Sequence, residues 1–172
     1  MKFRYESEMS EQLQSLLLPL IKKEGLSLFA EVDGLLGRPD FLVIKKSEKR
    51  VSYVIAVEVK LRAWRRALSQ ATKNRNFSNE SYVILDYENI DSALKNKRLF
   101  INSGIGLASF SSNGTFQIHL ASRPLLPLSL YLSKRLASLH ENGLEDKVVR
   151  HAFQRSTLGR RSFSSFDSYV VN

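Results

Sequence analysis

Two carboxylates and a lysine stand out in this chain: Asp40, directly after Pro39, and Glu58-Val59-Lys60, near the end of the apolar run Tyr53 to Leu61. An acid, then a second acid two residues before a lysine, is the set that a magnesium-dependent phosphodiester-cutting site needs. Mg2+ takes oxygen ligands in near-octahedral geometry and keeps several waters, so one or two carboxylates plus a substrate phosphate suffice to hold it. Asp40 and Glu58 suit that pair, and the Val59 carbonyl, between acid and lysine, adds a third oxygen. Mn2+ would serve in the same place. Lys60 can orient or help deprotonate the attacking water and stabilise charge on the phosphorane oxygens.

The elements that must position these groups are legible in the flanking letters. Gly37 to Pro39 reads as a turn entering a strand Phe41–Ile44, and Val51–Leu61 reads as a second, buried strand after a charged hairpin loop, Lys45 to Arg50. Side chains alternate along a strand, so Glu58 and Lys60 share one face while Val57, Val59 and Leu61 share the other. From Tyr53 on that strand is apolar apart from those two residues, and an unpaired buried carboxylate costs several kcal/mol unless a cation compensates.

Upstream, Leu13, Leu16, Leu17, Leu20 and Ile21 recur at helical spacing, with Gly25 as the C-terminal stop and Pro19 predicting a kink or a fresh turn. Glu6 projects on the side of Leu13 and Leu17, which makes it the acid that faces inward. Leu26–Val32 reads as the first strand. After Lys60 the pattern switches to a helix, Arg62 to Lys73, with Trp64, Ala67, Leu68 and Ala71 on its apolar side. Trp64 at that spacing is a core residue rather than a base-stacking platform. Ser81–Tyr87 is the next strand, and a helix between two strands of one sheet implies a parallel crossover beside the hairpin.

A helix at Ile90–Phe100 and strands at Ile105–Phe110 and Thr115–Leu120 follow. Pro124–His140 and Asp146–Gln154 read as amphipathic helices, and the tail from Arg155 carries Phe163, Phe166 and Tyr169 at threes. The division expected is a nuclease-like α/β domain over 1–122 and a helical extension over 123–172 packed on it.

The 172 residues suit one domain with an appendage. Zero cysteines exclude disulfides, thiolate zinc sites and a cysteine nucleophile. His119, His140 and His151 have no metal-ligand spacing, and structural or surface roles suit them. Glu31 and Asp33 read as a strand edge and a turn acid. The chain has no membrane-length apolar run and no signal-peptide core at its start, so a cytoplasmic protein without membrane contact is expected. Lysine and arginine total 26 against 17 aspartate and glutamate, a net charge of +9 that favours a polyanion. Arg62, Arg65, Arg66, Lys73 and Arg75, on or just past the helix that follows Lys60, are placed to contact nucleic-acid phosphates.

Asp40 after proline, Glu58-Val59-Lys60 and the order α-β-β-β-α-β together resemble the PD-(D/E)XK nuclease superfamily, which includes restriction endonucleases, archaeal Holliday-junction resolvases and RecB-type nuclease domains. The resemblance spans roughly residues 5 to 87. It implies a restriction-endonuclease-like α/β fold with a mixed central sheet, and metal-dependent hydrolysis of phosphodiester bonds, with DNA the first substrate. It assigns Asp40 and Glu58 as metal ligands and Lys60 as the catalytic lysine. It also matches Glu6 to an acid on the first helix and Gln70 to a glutamine on the helix after the lysine strand. The rival reading is a non-catalytic nucleic-acid-binding or scaffold subunit of a repair, transposition or defence assembly. Whether a homodimer or larger assembly is needed to cut two strands is left open.

Overall fold

The structure is a computed structural model that describes residues 2–32, 38–47 and 50–139. Its centre is a six-stranded mixed sheet in the order β1-β2-β3-β4-β5-β6: Ser27–Ala30, Phe41–Ser47, Arg50–Lys60, Glu80–Asp86, Gly106–Phe110 and Phe116–Leu120. β1, β2 and β3 pair antiparallel, β3, β4 and β5 pair parallel, and β6 returns antiparallel. The parallel steps follow from the helices between them, since a parallel neighbour needs a crossover. The chain therefore opens α-β-β-β-α-β, as its periodicities predict.

Helices cover both faces. On one lies α1 (Glu6–Lys23), whose Met9, Leu13, Leu17 and Ile21 meet Ile55, Val57 and Val59 of β3 and Tyr82 and Ile84 of β4. On the other lie α2 (Trp64–Asn74), α3 (Asp91–Lys95) and α4 (Lys97–Ser103), packed on Val83, Leu85 and Leu107, while α5 (Leu130–Leu139) sets Leu136 against Phe29, Leu42, Val54 and Ala56. Sheets covered on both faces read as nearly continuous apolar runs. β3 and β4 do, which is why Glu58 and Lys60 are conspicuous.

Gly25 ends α1 as expected. It sits at φ 71°, donates to the Lys22 carbonyl at 3.0 Å and lets Leu26 donate to the Ile21 carbonyl at 3.0 Å, the paired bonds of a Schellman stop. α1 instead runs unbroken through Pro19, where a kink or new turn was expected. Pro19 and Ser15 are both on the exposed side, so the carbonyl that loses its intrahelical donor lies toward water.

Other boundaries differ for identifiable reasons. The Lys45–Arg50 stretch, predicted as a loop from its charge, is largely strand, because β2 runs to Ser47 and β3 starts at Arg50, with a register shift between Lys45 and Lys46. The predicted Ile90–Phe100 helix is two, divided at Asn96, whose side chain donates to the Ser92 carbonyl at 2.8 Å. The helix predicted from Pro124 begins only at Leu130. Residues 125–129 are held out of helix by Leu125, Leu128 and Ser129 amides donating to Asn79, Arg75 and Asn76 carbonyls. The predicted helix Asp146–Gln154 and the aromatic tail lie outside the described residues.

Candidate active site

The site forms at the C-terminal end of β3, where β2 begins and α1 starts. Asp40 stands one residue before β2, and the pairing of Phe41 with Val57 brings it level with the end of β3. Its Oδ2 accepts the Val59 amide at 2.7 Å, so a side chain takes a rung that backbone would otherwise supply. The Glu31 amide holds the Asp40 carbonyl at 3.0 Å. Glu31 itself adopts φ 52°, uncommon for a residue with a Cβ, and its carboxylate pairs with Arg38 at 2.6 Å in an exposed bridge.

Lys60, the last residue of β3, is 9 % exposed, and its Nζ is surrounded by oxygen. It donates to the Val59 carbonyl at 2.7 Å and to Asp40 Oδ2 at 3.3 Å, and lies 3.4 Å from Glu6 Oε2. Glu6 thus faces the site from the first turn of α1. The Val59 carbonyl, expected as a metal ligand, points at the same place but is engaged by the lysine.

Glu58 is only 1 % exposed and turns the other way, toward α2. Asn74 Nδ2 donates to its Oε1 at 2.8 Å, while Oε2 has no hydrogen-bond partner among the described residues. Burial pushes the Glu58 carboxyl from its usual 4.5 up to about 7; the Asn74 bond opposes this, the Asp40 charge reinforces it, and Lys60 and Arg66 oppose it. Alternation puts Glu58 and Lys60 on one face of the strand, yet their charged ends separate. Lys60 lies at the strand end, and its flexible stem carries the ammonium to Asp40 and to Glu6 of α1.

A buried carboxylate oxygen with no donor among the described residues, on a carboxylate that feels the charge of Asp40, fits a small hard cation. Among the described residues no group of three or more histidine, cysteine, aspartate or glutamate side chains could hold a metal ion. A magnesium site does not require one, since substrate and water oxygens complete its shell. Gln70 is half-buried on α2, and its Oε1 is a buried acceptor with no partner among the described residues.

The basic helix divides. Arg62, Arg65, Arg66 and Lys73 are exposed, Arg65 lies 4.3 Å over the Trp64 ring, and the charge of Arg66 is felt at Glu58. Trp64 is core, 4 % exposed, with Nε1 donating to Ser92 Oγ at 3.0 Å. Arg75, expected to contact phosphate, is not available for it. It is 4 % exposed and its Nη1 donates to the carbonyls of Asn79 at 3.2 Å and Arg123 at 2.8 Å, fastening the turn after α2 to the segment after β6. His119 is also structural, its Nε2 2.8 Å from Ser109 Oγ, and burial lowers its pKa.

Asn74 is the site residue that the spacing argument missed. The signal was present: Trp64, Ala67, Ala71 and Asn74 continue one inward stripe at helical spacing, so an amide stands where the pattern asks for an apolar residue.

No protein-family model matches the sequence, and no curated protein matches it. Among solved structures, a protein of unknown function from Silicibacter pomeroyi is similar at 14% identity, covering 76% of this chain and 89% of that one with a TM-score of 0.43. A likeness at that level carries no argument about this chain. No described helix is long and apolar enough to cross a membrane.

Proposed function

We propose that this chain is a metal-dependent nuclease of the PD-(D/E)XK type, with a restriction-endonuclease-like fold, that hydrolyses phosphodiester bonds in DNA. The observation that carries this reading is the gathering of Asp40, Lys60 and Glu6 within 3.4 Å contacts, with a buried Glu58 two residues before the lysine whose Oε2 has no donor among the described residues. The opening order α-β-β-β-α-β supports the fold assignment.

Asp40, Glu58 through Oε2, and the Val59 carbonyl are the groups that would hold Mg2+ or Mn2+. Such an ion, when bound, supplies Lewis-acid polarisation of a phosphoryl oxygen and a more acidic water. Lys60, charged and nearly buried, stabilises negative charge that develops on the phosphate oxygens as the bond to the leaving group breaks. Without an ion Lys60 holds the Val59 carbonyl and Asp40 Oδ2, and once those oxygens pass to an ion its ammonium is free at the strand end to meet the phosphate. Glu6 limits the positive charge that Lys60 brings, and Gln70 offers a neutral oxygen on the adjoining helix. Exposed Arg62, Arg65, Arg66 and Lys73 supply phosphate contacts that set the register of a bound strand.

A binding-only module is favoured by one observation: Lys60 already neutralises Asp40 and occupies the Val59 carbonyl. Cleavage of labelled single-stranded, duplex and branched DNA, with Mg2+ and with Mn2+, separates the two. Cutting by the wild type that drops at least about 100-fold in Asp40→Asn and in Lys60→Met supports the nuclease. Tight binding without cutting on every substrate supports the scaffold.

A further inference from the structure

We propose that Asn74 makes this site selective for small divalent cations over Ca2+, by leaving Glu58 a single oxygen to offer. The proposal rests on the metal-dependent reading above.

A carboxylate can bind a cation through one oxygen or two. Mg2+ demands near-ideal octahedral geometry and is held through few carboxylate contacts, whereas Ca2+ takes six to eight oxygens and readily accepts both from one carboxylate. Glu58 Oε1 is taken by Asn74 Nδ2 at 2.8 Å, and Oε2 is left open among the described residues. Both residues are 1 % exposed, so the amide has no competing water to turn to and the hydrogen bond is costly to surrender.

Asn74 is also held rigidly. Its carbonyl accepts from Ser78 Oγ at 2.8 Å, from the Ser78 amide at 3.0 Å and from the Phe77 amide at 3.1 Å, which ties down the end of α2. The next residue is Arg75, fastened to the carbonyls of Asn79 and Arg123. A larger cation that needed both Glu58 oxygens would have to displace a donor whose backbone cannot retreat. Asn74 is therefore a positioning residue: it acts through Glu58.

The test is cation affinity of the full chain, read by titration calorimetry with Mn2+ and with Ca2+ separately and in the absence of nucleic acid. The wild type should bind Mn2+ more tightly than Ca2+. Asn74→Ala frees Oε1, and the Ca2+-to-Mn2+ affinity ratio should rise about tenfold. Asn74→Leu, which preserves volume without a donor, should move the ratio the same way and serves if the alanine variant does not fold. Two ions that bind in an unchanged ratio in the variants would overturn the role of Asn74 and leave the nuclease reading standing. A wild type that binds neither ion removes both.

Discussion

Glu58 and Lys60 leave the same face of β3, yet their charged ends take different partners, the carboxylate meeting Asn74 of α2 and the ammonium meeting Asp40 and Glu6. The strand end thus splits its charges between two helices on opposite faces of the sheet. Folding must bring α1, the β2–β3 hairpin and α2 together before the site exists.

Glu58 makes stability depend on pH. Its folded pKa, about 7, lies above the ordinary 4.5, so the folded state holds a proton more tightly than the unfolded chain. The stabilisation is complete below pH 4.5 and is lost as pH rises through 7, by roughly 3 kcal/mol in all. Urea denaturation in metal-free buffer should show that decline in wild type and a flatter profile in Glu58→Gln. Added Mg2+ should restore more stability at pH 8 than at pH 5, because a cation competes with the proton for Glu58.

Arg66 and Arg75 should behave oppositely although both are basic residues near one helix. Arg66→Ala removes an exposed charge, and the slope of log affinity against log salt for duplex DNA should fall by about 0.9 for the lost phosphate contact, with folding stability nearly unchanged. Fluorescence anisotropy across a salt series measures it.

Arg75→Ala should leave that salt slope alone and lower stability by about 2–4 kcal/mol, because the carbonyls of Asn79 and Arg123 lose a charged donor in a buried place. Burial, with the Arg123 charge second, lowers the pKa of this guanidinium, in keeping with a group held for structure. A thermal or urea midpoint unchanged from wild type would show that the turn does not depend on it.

Gly106 pairs with Tyr82 across β4 and β5, and a Cβ there would fall 2.2 Å from the tyrosine ring. The ring cannot step aside freely, since its hydroxyl donates to Glu80 Oε2 at 3.3 Å and accepts the Ser122 amide at 3.1 Å. Gly106→Ala should therefore cost about 1–3 kcal/mol, seen as a lower urea midpoint at constant slope.

What was legible in the letters was whatever local periodicity controls. β3 announced itself as apolar residues interrupted by Glu58 and Lys60, and α1 by leucines that carry Glu6 to the inward side. Asp40 was found through its neighbours in sequence. The misreadings arise where distant backbone decides. Arg75 looks like a surface charge until Arg123, 48 residues away, claims it, and the leucines after Pro124 look helical until carbonyls of residues 75–79 take their amides. The Lys45–Arg50 stretch reads as loop because charge marks exposure, and an exposed strand end carries charge equally well.

The bond from the Val59 amide to Asp40 Oδ2 also turns one backbone proton into a witness of the site. Exchange of that proton with solvent deuterium requires the Asp40 side chain to let go, whereas its neighbours in β3 exchange only when the sheet opens. A fast-exchanging Val59 beside slow Val57 and Ile55 would report how readily the carboxylate swings free, with no substrate present.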